Sequence, residues 1–424
     1  MKKSKLRGFL LVITVLLVIG LISGCGSKTV GEKATKDKQF KLTFFFYKSE
    51  IADAMETMAR AFQEEHPNVV IKNEIIGQEY NTVLKTKDAA GQLPDIFAAS
   101  IPGERALKDF IEAGKIRDVS DFKVMDNLSD DFKESLTFSD GNIYIIPLFI
   151  TGRGIVYNEK LFKKAGIKKF PDTLEGLREA CRKLKKTGIT PFAAGAKDVW
   201  TLGSPLFQVG HEVMNPDGWV NKMYQKEASF KDYTLPVMDF VDLFVEYSQD
   251  NPLGTDYTES VVLYAREEAA MLVQGPWVMD LVQDLNPDVA SSSHMAPIPF
   301  TNNPEKNKLY IDYDGYFCIN SKTDKEVVNQ YFDFMINGSG RKIFKEEIKC
   351  LNPFGITFET HGVNEDIITA IESGEVIQDT QFVKMPDNFF ITMGTVLQEY
   401  IAGKLTREQV MEKLDAEWFK SMDK

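Results

Sequence analysis

Apolar positions along this chain repeat first at the spacing of strands and then at that of helices. Lys41 to Tyr47 is nearly unbroken in hydrophobic character and rich in phenylalanine, which predicts a buried strand. Ile51, Met55, Met58 and Phe62 then recur at helical spacing until the His-Pro-Asn-Val stretch from His66 stops them. Val69 to Ile76 reads as a second strand, residues 79–90 as a helix, and "LPDIFAAS" as a proline followed by a short apolar strand. Strands alternating with helices predict an α/β fold whose parallel sheet is covered on both faces. Such sheets bind ligands at the carboxyl ends of their strands.

The pattern starts again at "GRGIVYNEKLFKKAGI", a short apolar strand running into a helix. In the next segment Leu174, Leu177, Ala180, Cys181 and Leu184 share one helical face behind Asp172 or Thr173 as cap, which turns Cys181 toward a core. "GYFCINSKTDKEVVNQYFDFM" predicts a strand, a turn and an amphipathic helix. Near the end, Thr406 and Gln409 have the spacing of a capping box. Val410, Met411, Leu414 and Trp418 fall on the apolar face behind it, so Trp418 is expected in a core.

The first forty residues follow a different rule. Lys2, Lys3, Lys5 and Arg7 precede a charge-free run from Phe9 to Ile22. As a helix that run would reach about 21 Å, short of a hydrocarbon core of roughly 30 Å. A basic start, a short apolar middle and small residues before a break are the layout of a secretory signal. The polar stretch after Cys25 has no aromatic residue to bury, and it reads as a flexible tether over residues 25–39. Residues 1–24 are then a signal peptide. Removing their four basic residues takes the net charge from −12 to −16, which argues against nucleic acid as a partner because phosphate binding needs a basic surface. Cys181, Cys318 and Cys350 are an odd, widely spaced set, neither a disulfide framework nor a metal-ligand pattern.

Ile22-Ser23-Gly24-Cys25 resembles the bacterial lipobox. That resemblance implies cleavage before Cys25 and a lipid anchor on its sulfur at the extracytoplasmic face of the cell membrane. Further along, "LPDIF", "VYNEKLFKKAGI", "GITPFAAGAKDVWTLG", "AAMLVQGPW", the "GYFCINSKTDKEVVNQYFDFM" block and "LQEYIAGKLTREQVMEKLDAEW" occur in the order found in family 1 extracellular solute-binding proteins. Over residues 40–420 the chain resembles these carbohydrate receptors of ABC importers. The resemblance implies a periplasmic-binding-protein-like fold of two α/β lobes with a ligand cleft between them. One lobe would take residues 40–152 and 316–355, the other 153–315 and 356–424. Chain crossings would fall near 150–155, 310–317 and 352–360. The implied partners are a carbohydrate and the permease subunits of an ABC importer, met by a monomer that needs no cofactor and no metal.

A sugar offers hydroxyls that need partners and flat C–H faces that suit aromatic rings. Leaving a buried hydroxyl unpaired costs roughly 1–3 kcal/mol, so such a cleft needs carboxylates, amides and arginine beside its aromatics. Trp200, in a segment expected to be a loop, and Trp277, after a Gly-Pro turn, match aromatic positions of the family pattern. Asp314, Gly315 and Tyr316 fall where a crossing meets the cleft. There Asp314 would accept hydroxyl hydrogen bonds and Gly315 would allow close backbone approach. Glu50 and Ser100 follow predicted strands at their carboxyl ends. Arg153 lies on the first crossing, placed either to fork onto a hydroxyl pair or to join the lobes by a salt bridge. Asp95 precedes its strand and reads as structural.

Catalytic motifs are missing from the sequence. His66, His211, His294 and His361 are scattered, and there is no HExxH, GxSxG, Walker A or GxGxxG pattern. The expectation is a receptor without enzymatic activity. Two alternatives stand beside it: the same fold holding a polyamine or peptide, and a surface-anchored carbohydrate hydrolase using a carboxylate pair.

Overall fold

The computed structural model describes residues 39–77, 79–99, 104–128, 130–215, 218–348, 350–357, 362–378, 385–386 and 389–422. The predicted signal peptide, the tether up to residue 38, Cys25 and Ser100 lie outside these residues. Of Glu50 only the backbone, in a short 3₁₀ turn over Ser49–Ile51, is described.

The first strands form where the apolar runs predict them: β1 (Phe40–Phe46), β2 (Val69–Ile75) and β3 (Ile96–Ala99), parallel in the order β2-β1-β3. Tyr80 opens the helix Tyr80–Ala89 and bridges β1 to β3, donating its hydroxyl to Ala98 O at 2.7 Å and Phe45 O at 3.3 Å. Asp95 accepts from Thr43 N and from the Thr323 hydroxyl, both at 2.8 Å, which is the structural role expected of it.

The rest of the sheet corrects the all-parallel expectation. β4 (Ile146–Asn158), β5 (Thr190–Phe192), β6 (Ala269–Gln274), β7 (Ser293–Ala296), β8 (Leu309–Ile319) and β9 (Val376–Gln378) complete a mixed sheet in the order β2-β1-β3-β8-β4-β6-β5. β8 lies antiparallel to both β3 and β4, and β6 and β7 run antiparallel to β4. The reason is topological: β8 enters between β3 and β4 from a distant part of the chain, after other strands and helices, so no single strand-helix-strand crossover from either neighbour sets its direction.

Two large cores and a smaller cluster result. Phe44, Phe62, Phe97, Phe317, Tyr331 and Phe334 anchor the first core. Phe192, Phe207, Trp219, Phe240, Phe389 and Trp418 anchor the second. Cys181 and Trp418 are fully buried there, as their helical faces predict. Burial also pushes the Cys181 thiol well above its ordinary range, so it stays an uncharged hydrophobe. Thr173 accepts from Gly176 N, and Thr406 with Gln409 makes both bonds of the capping box.

β4 and β8 belong to both large cores. Ile146, Leu148 and Phe149 of β4 pack in the first, and Ile155 packs in the second. In β8, Tyr316 to Ile319 pack in the first and Tyr310 in the second. The two strands are paired from Ile146–Phe317 to Arg153–Tyr310, so they form the joint between the lobes. The third expected crossing is only partly within view, because residues 358–361 are not described. Among the described residues no helix is long and apolar enough to cross a membrane.

Candidate functional site

The joint carries most of the polar side chains that matter. In the β4–β8 register Phe149 opposes Asp314, Thr151 opposes Asp312, and Arg153 opposes Tyr310. The two-residue spacing puts all six on one face. Asp314 receives the Lys48 ammonium at 2.6 Å, the Tyr47 hydroxyl at 3.1 Å and the Gly315 N–H at 2.7 Å. Burial pushes its carboxyl up, but the Lys48 charge and hydrogen bond, the Gly315 N–H and the Arg153 charge together hold it below the usual carboxylate range. Lys48 and Tyr47 follow the carboxyl end of β1, beside the predicted Glu50. The strand-end position that points to Glu50 is shared by both, although neither carries a motif of its own.

Gly315 sits at φ +60°, and a Cβ there would lie 2.5 Å from the Phe149 ring. Its absence of a side chain is therefore used by the fold itself. Tyr316 is buried opposite Ala99 and Pro147. Arg153 meets Asp312 at 2.5 Å and donates to Ser204 Oγ at 2.7 Å, with its guanidinium 5.6 Å from the Tyr310 ring centre. The salt bridge that Arg153 makes with Asp312 lies within the expected 153–315 lobe.

Aromatic residues gather next to this ladder. Trp200 lies in a short helix, Val199–Leu202, not in the loop expected from its flanking glycines. The reason is support from elsewhere in the chain. Gly203 and Gly394 let this helix and Phe389–Ile401 meet backbone to backbone, where any Cβ would strike a carbonyl of the partner. Asp198 accepts from Tyr257 N at 2.8 Å, and the Thr201 hydroxyl donates to Gly195 O and Asp198 O. Those neighbours of Trp200 are structural, whereas the half-buried indole lies 5.1 Å from the Tyr257 ring and 6.4 Å from Trp277.

Trp277 is also half-buried. Its N–H donates to Gln274 Oε1 at 3.1 Å, and its ring lies over Gly275, leaving no room there for a Cβ. Gln274 pairs with Gly154, the residue after Arg153, and Ser204 continues the Trp200 segment. Arg153, Trp200 and Trp277 thus come together through β4, β6 and one helical segment. Asp314 and Gly315 reach the same ladder through β8.

Among the described residues no group of histidine, cysteine and acidic side chains is placed to hold a metal ion. His211 is wholly buried between Phe207 O and the Thr234 hydroxyl, and burial lowers its pKa to about 4. That keeps it neutral and within the packing.

The model of the bacterial extracellular solute-binding proteins matches residues 48–385. The chain belongs to that family. This solute-binding protein is 27% identical over 63% of its length to an uncharacterised ABC transporter extracellular-binding protein of Pyrococcus horikoshii, and the match spans 63% of that relative. It is 23% identical to the melibiose/raffinose/stachyose-binding protein MelE of Bacillus subtilis, over 97% of this chain and 95% of that one. Its fold matches a sugar transporter from Bacillus licheniformis solved in complex with stachyose, with a TM-score of 0.71 and 22% identity over 90% of this chain and all of that one.

Proposed function

We propose that this solute-binding protein captures a neutral sugar or short oligosaccharide by closure of its two lobes and delivers it to an ABC importer. One observation carries the choice of solute. Each acid of the joint ladder has a base beside it, Lys48 for Asp314 and Arg153 for Asp312, while two half-buried indoles lie 6.4 Å apart, Trp200 just before the turn whose Ser204 binds Arg153 and Trp277 just after β6. A polyamine calls for carboxylates whose charge is not already matched, and matched pairs beside aromatic rings suit a polyhydroxylated, uncharged ligand. The sugars named for the Bacillus relatives, raffinose and stachyose among them, support the same class.

In this reading residues 40–152 with 316–355 and 153–315 with 356–424 are the two lobes. Trp200 and Trp277 stack on sugar faces. Asp314, Gly315 and Tyr316, with Glu50, Ser100 and Arg153, line or support the polar side. Cys25 carries a lipid anchor that holds a monomeric receptor at the extracytoplasmic face of the membrane, and no bond of the solute is broken.

Calorimetric titration with raffinose, stachyose and a panel of other neutral sugars, with product analysis alongside, tests the proposal. Saturable binding without turnover is expected, and Trp277→Ala should weaken it by roughly 30-fold, the equivalent of about 2 kcal/mol for a buried aromatic anchor. Hydrolysis of the sugar, or binding of a charged solute alone, overturns it.

A further inference from the structure

Thr151 and Gln208 stand out in the joint because their chemistry is left incomplete. The Thr151 side chain is only 4% exposed and Gln208 is fully buried. Among the described residues neither Thr151 Oγ1 nor Gln208 Oε1 has a hydrogen-bond partner, and neither atom is within reach of water. The Gln208 amide nitrogen lies 3.4 Å from the Tyr310 hydroxyl. Turning the amide over would satisfy the oxygen and strand the NH₂ group, so one end goes unmatched either way. Buried polar groups are paired in the great majority of cases, and an exception calls for a reason.

Their position supplies one. Thr151 is on β4 between Phe149, in the first core, and Ile155, in the second. Gly152 follows it, and Gly315 at φ +60° lies on the paired strand. Gln208 ends a π-helical turn, Gly203–Gln208, whose Ser204 is held by Arg153 and whose Gln208 faces Tyr310 of β8. Thr151 sits where the backbone must twist if the lobes rotate, and Gln208 faces Tyr310 on the strand paired with it. A wide π turn of this kind is itself a local departure from regular helix, and such turns are frequent at functional sites.

We propose that Thr151 and Gln208 are a conformational bias built into the joint: unpaired in this arrangement of the lobes, they gain partners in another, and so they hold down the population of this one. The cost of an unsatisfied buried group corresponds to roughly a 5- to 150-fold shift in the equilibrium for each. Whichever arrangement binds solute, the apparent affinity is scaled by the fraction of molecules in it. The inference rests on the lobe movement of the proposed function but not on the identity of the solute.

The test uses the full-length protein without solute, carrying donor and acceptor dyes on unnatural residues at the exposed positions Lys85 and Lys183, one in each lobe. Single-molecule energy transfer then reports the lobe arrangements, and Thr151→Val and Gln208→Met remove the unmatched groups at nearly constant volume. Each is expected to raise the ratio of the population whose transfer efficiency matches this structure to the remaining population by at least 5-fold, without lowering the melting temperature. Thr151→Ser, which keeps the hydroxyl, should behave as the wild type. A single distribution insensitive to both substitutions, a shift in the opposite direction, or a lower melting temperature with unchanged populations overturns the proposal. Because no sugar is present, those outcomes leave the sugar reading standing, and failure of sugar binding leaves this one standing.

Discussion

Replacing Arg153 with methionine should destabilise the protein far more than removal of a surface charge. The Arg153 and Asp312 side chains are 12% and 2% exposed, their charged atoms are 2.5 Å apart, and Ser204 takes a further guanidinium bond. Water hardly screens such a pair. Removing the cation leaves Asp312 as an uncompensated buried carboxylate, and breaking a pair of this kind costs about 3–5 kcal/mol. Exposed pairs such as Lys108–Glu112, both members more than 60% exposed, contribute about 0–1 kcal/mol. The double variant Arg153→Met/Asp312→Leu removes both charges and should recover most of the loss, because a buried pair is worth little more than apolar groups of similar size. Urea unfolding followed by tryptophan fluorescence and by circular dichroism gives all three values, provided the two probes coincide. If Arg153→Met costs less than 1 kcal/mol, or if the double variant is as unstable as the single one, the ladder does not hold the joint as described.

Gly315→Ala should cost about 2–4 kcal/mol, since the left-handed backbone and the 2.5 Å approach to Phe149 both resist a Cβ; the urea midpoint checks it. His294 lies 3.0 Å from Asp366, which also accepts from Met295 N and raises the imidazole pKa above its ordinary 6.5. A raised folded-state pKa means that this stabilisation is complete below pH 6.5 and disappears as pH climbs through the higher folded value. Melting temperatures across that interval should therefore fall for the wild type relative to His294→Gln; parallel curves would count against the pair. Cys25→Ala should release the receptor from the membrane fraction while leaving sugar affinity intact, as cell fractionation and calorimetry would show.

Sequence patterning was most informative where one face of one element decides burial. Cys181 and Trp418 fall on apolar helical faces and are buried, and β1, β2 and β3 appear within a residue of their apolar runs. It was least informative where distant segments decide. β8 takes its direction from two neighbours remote in sequence, so alternation of strands and helices gave the class of fold but not the antiparallel middle of the sheet. Trp200 was expected in a loop because its flanking glycines look like breaks, yet Gly203 is there for contact with a helix nearly two hundred residues later. At the site, residue type identified Asp314 and Arg153 as candidates. Their partners Lys48 and Ser204 carried no motif, because salt bridges are made by geometry across chain segments. Only the strand-end position of Lys48 hinted at it.

The place of β8 in the sheet also sets an order of events. β3 and β4 are separated by a strand that is synthesised some 150 residues after the end of β4. Until Leu309–Ile319 is available, the edges of both strands that face this gap have no backbone partner, and the first core lacks Tyr316 to Ile319. Most of the nascent chain thus waits on one late segment, with the slow, long-range closure that high contact order brings. For a protein that is to leave the cytoplasm, that delay keeps the emerging chain loose enough to be threaded across a membrane, and the centre of the sheet closes only after β8 has passed.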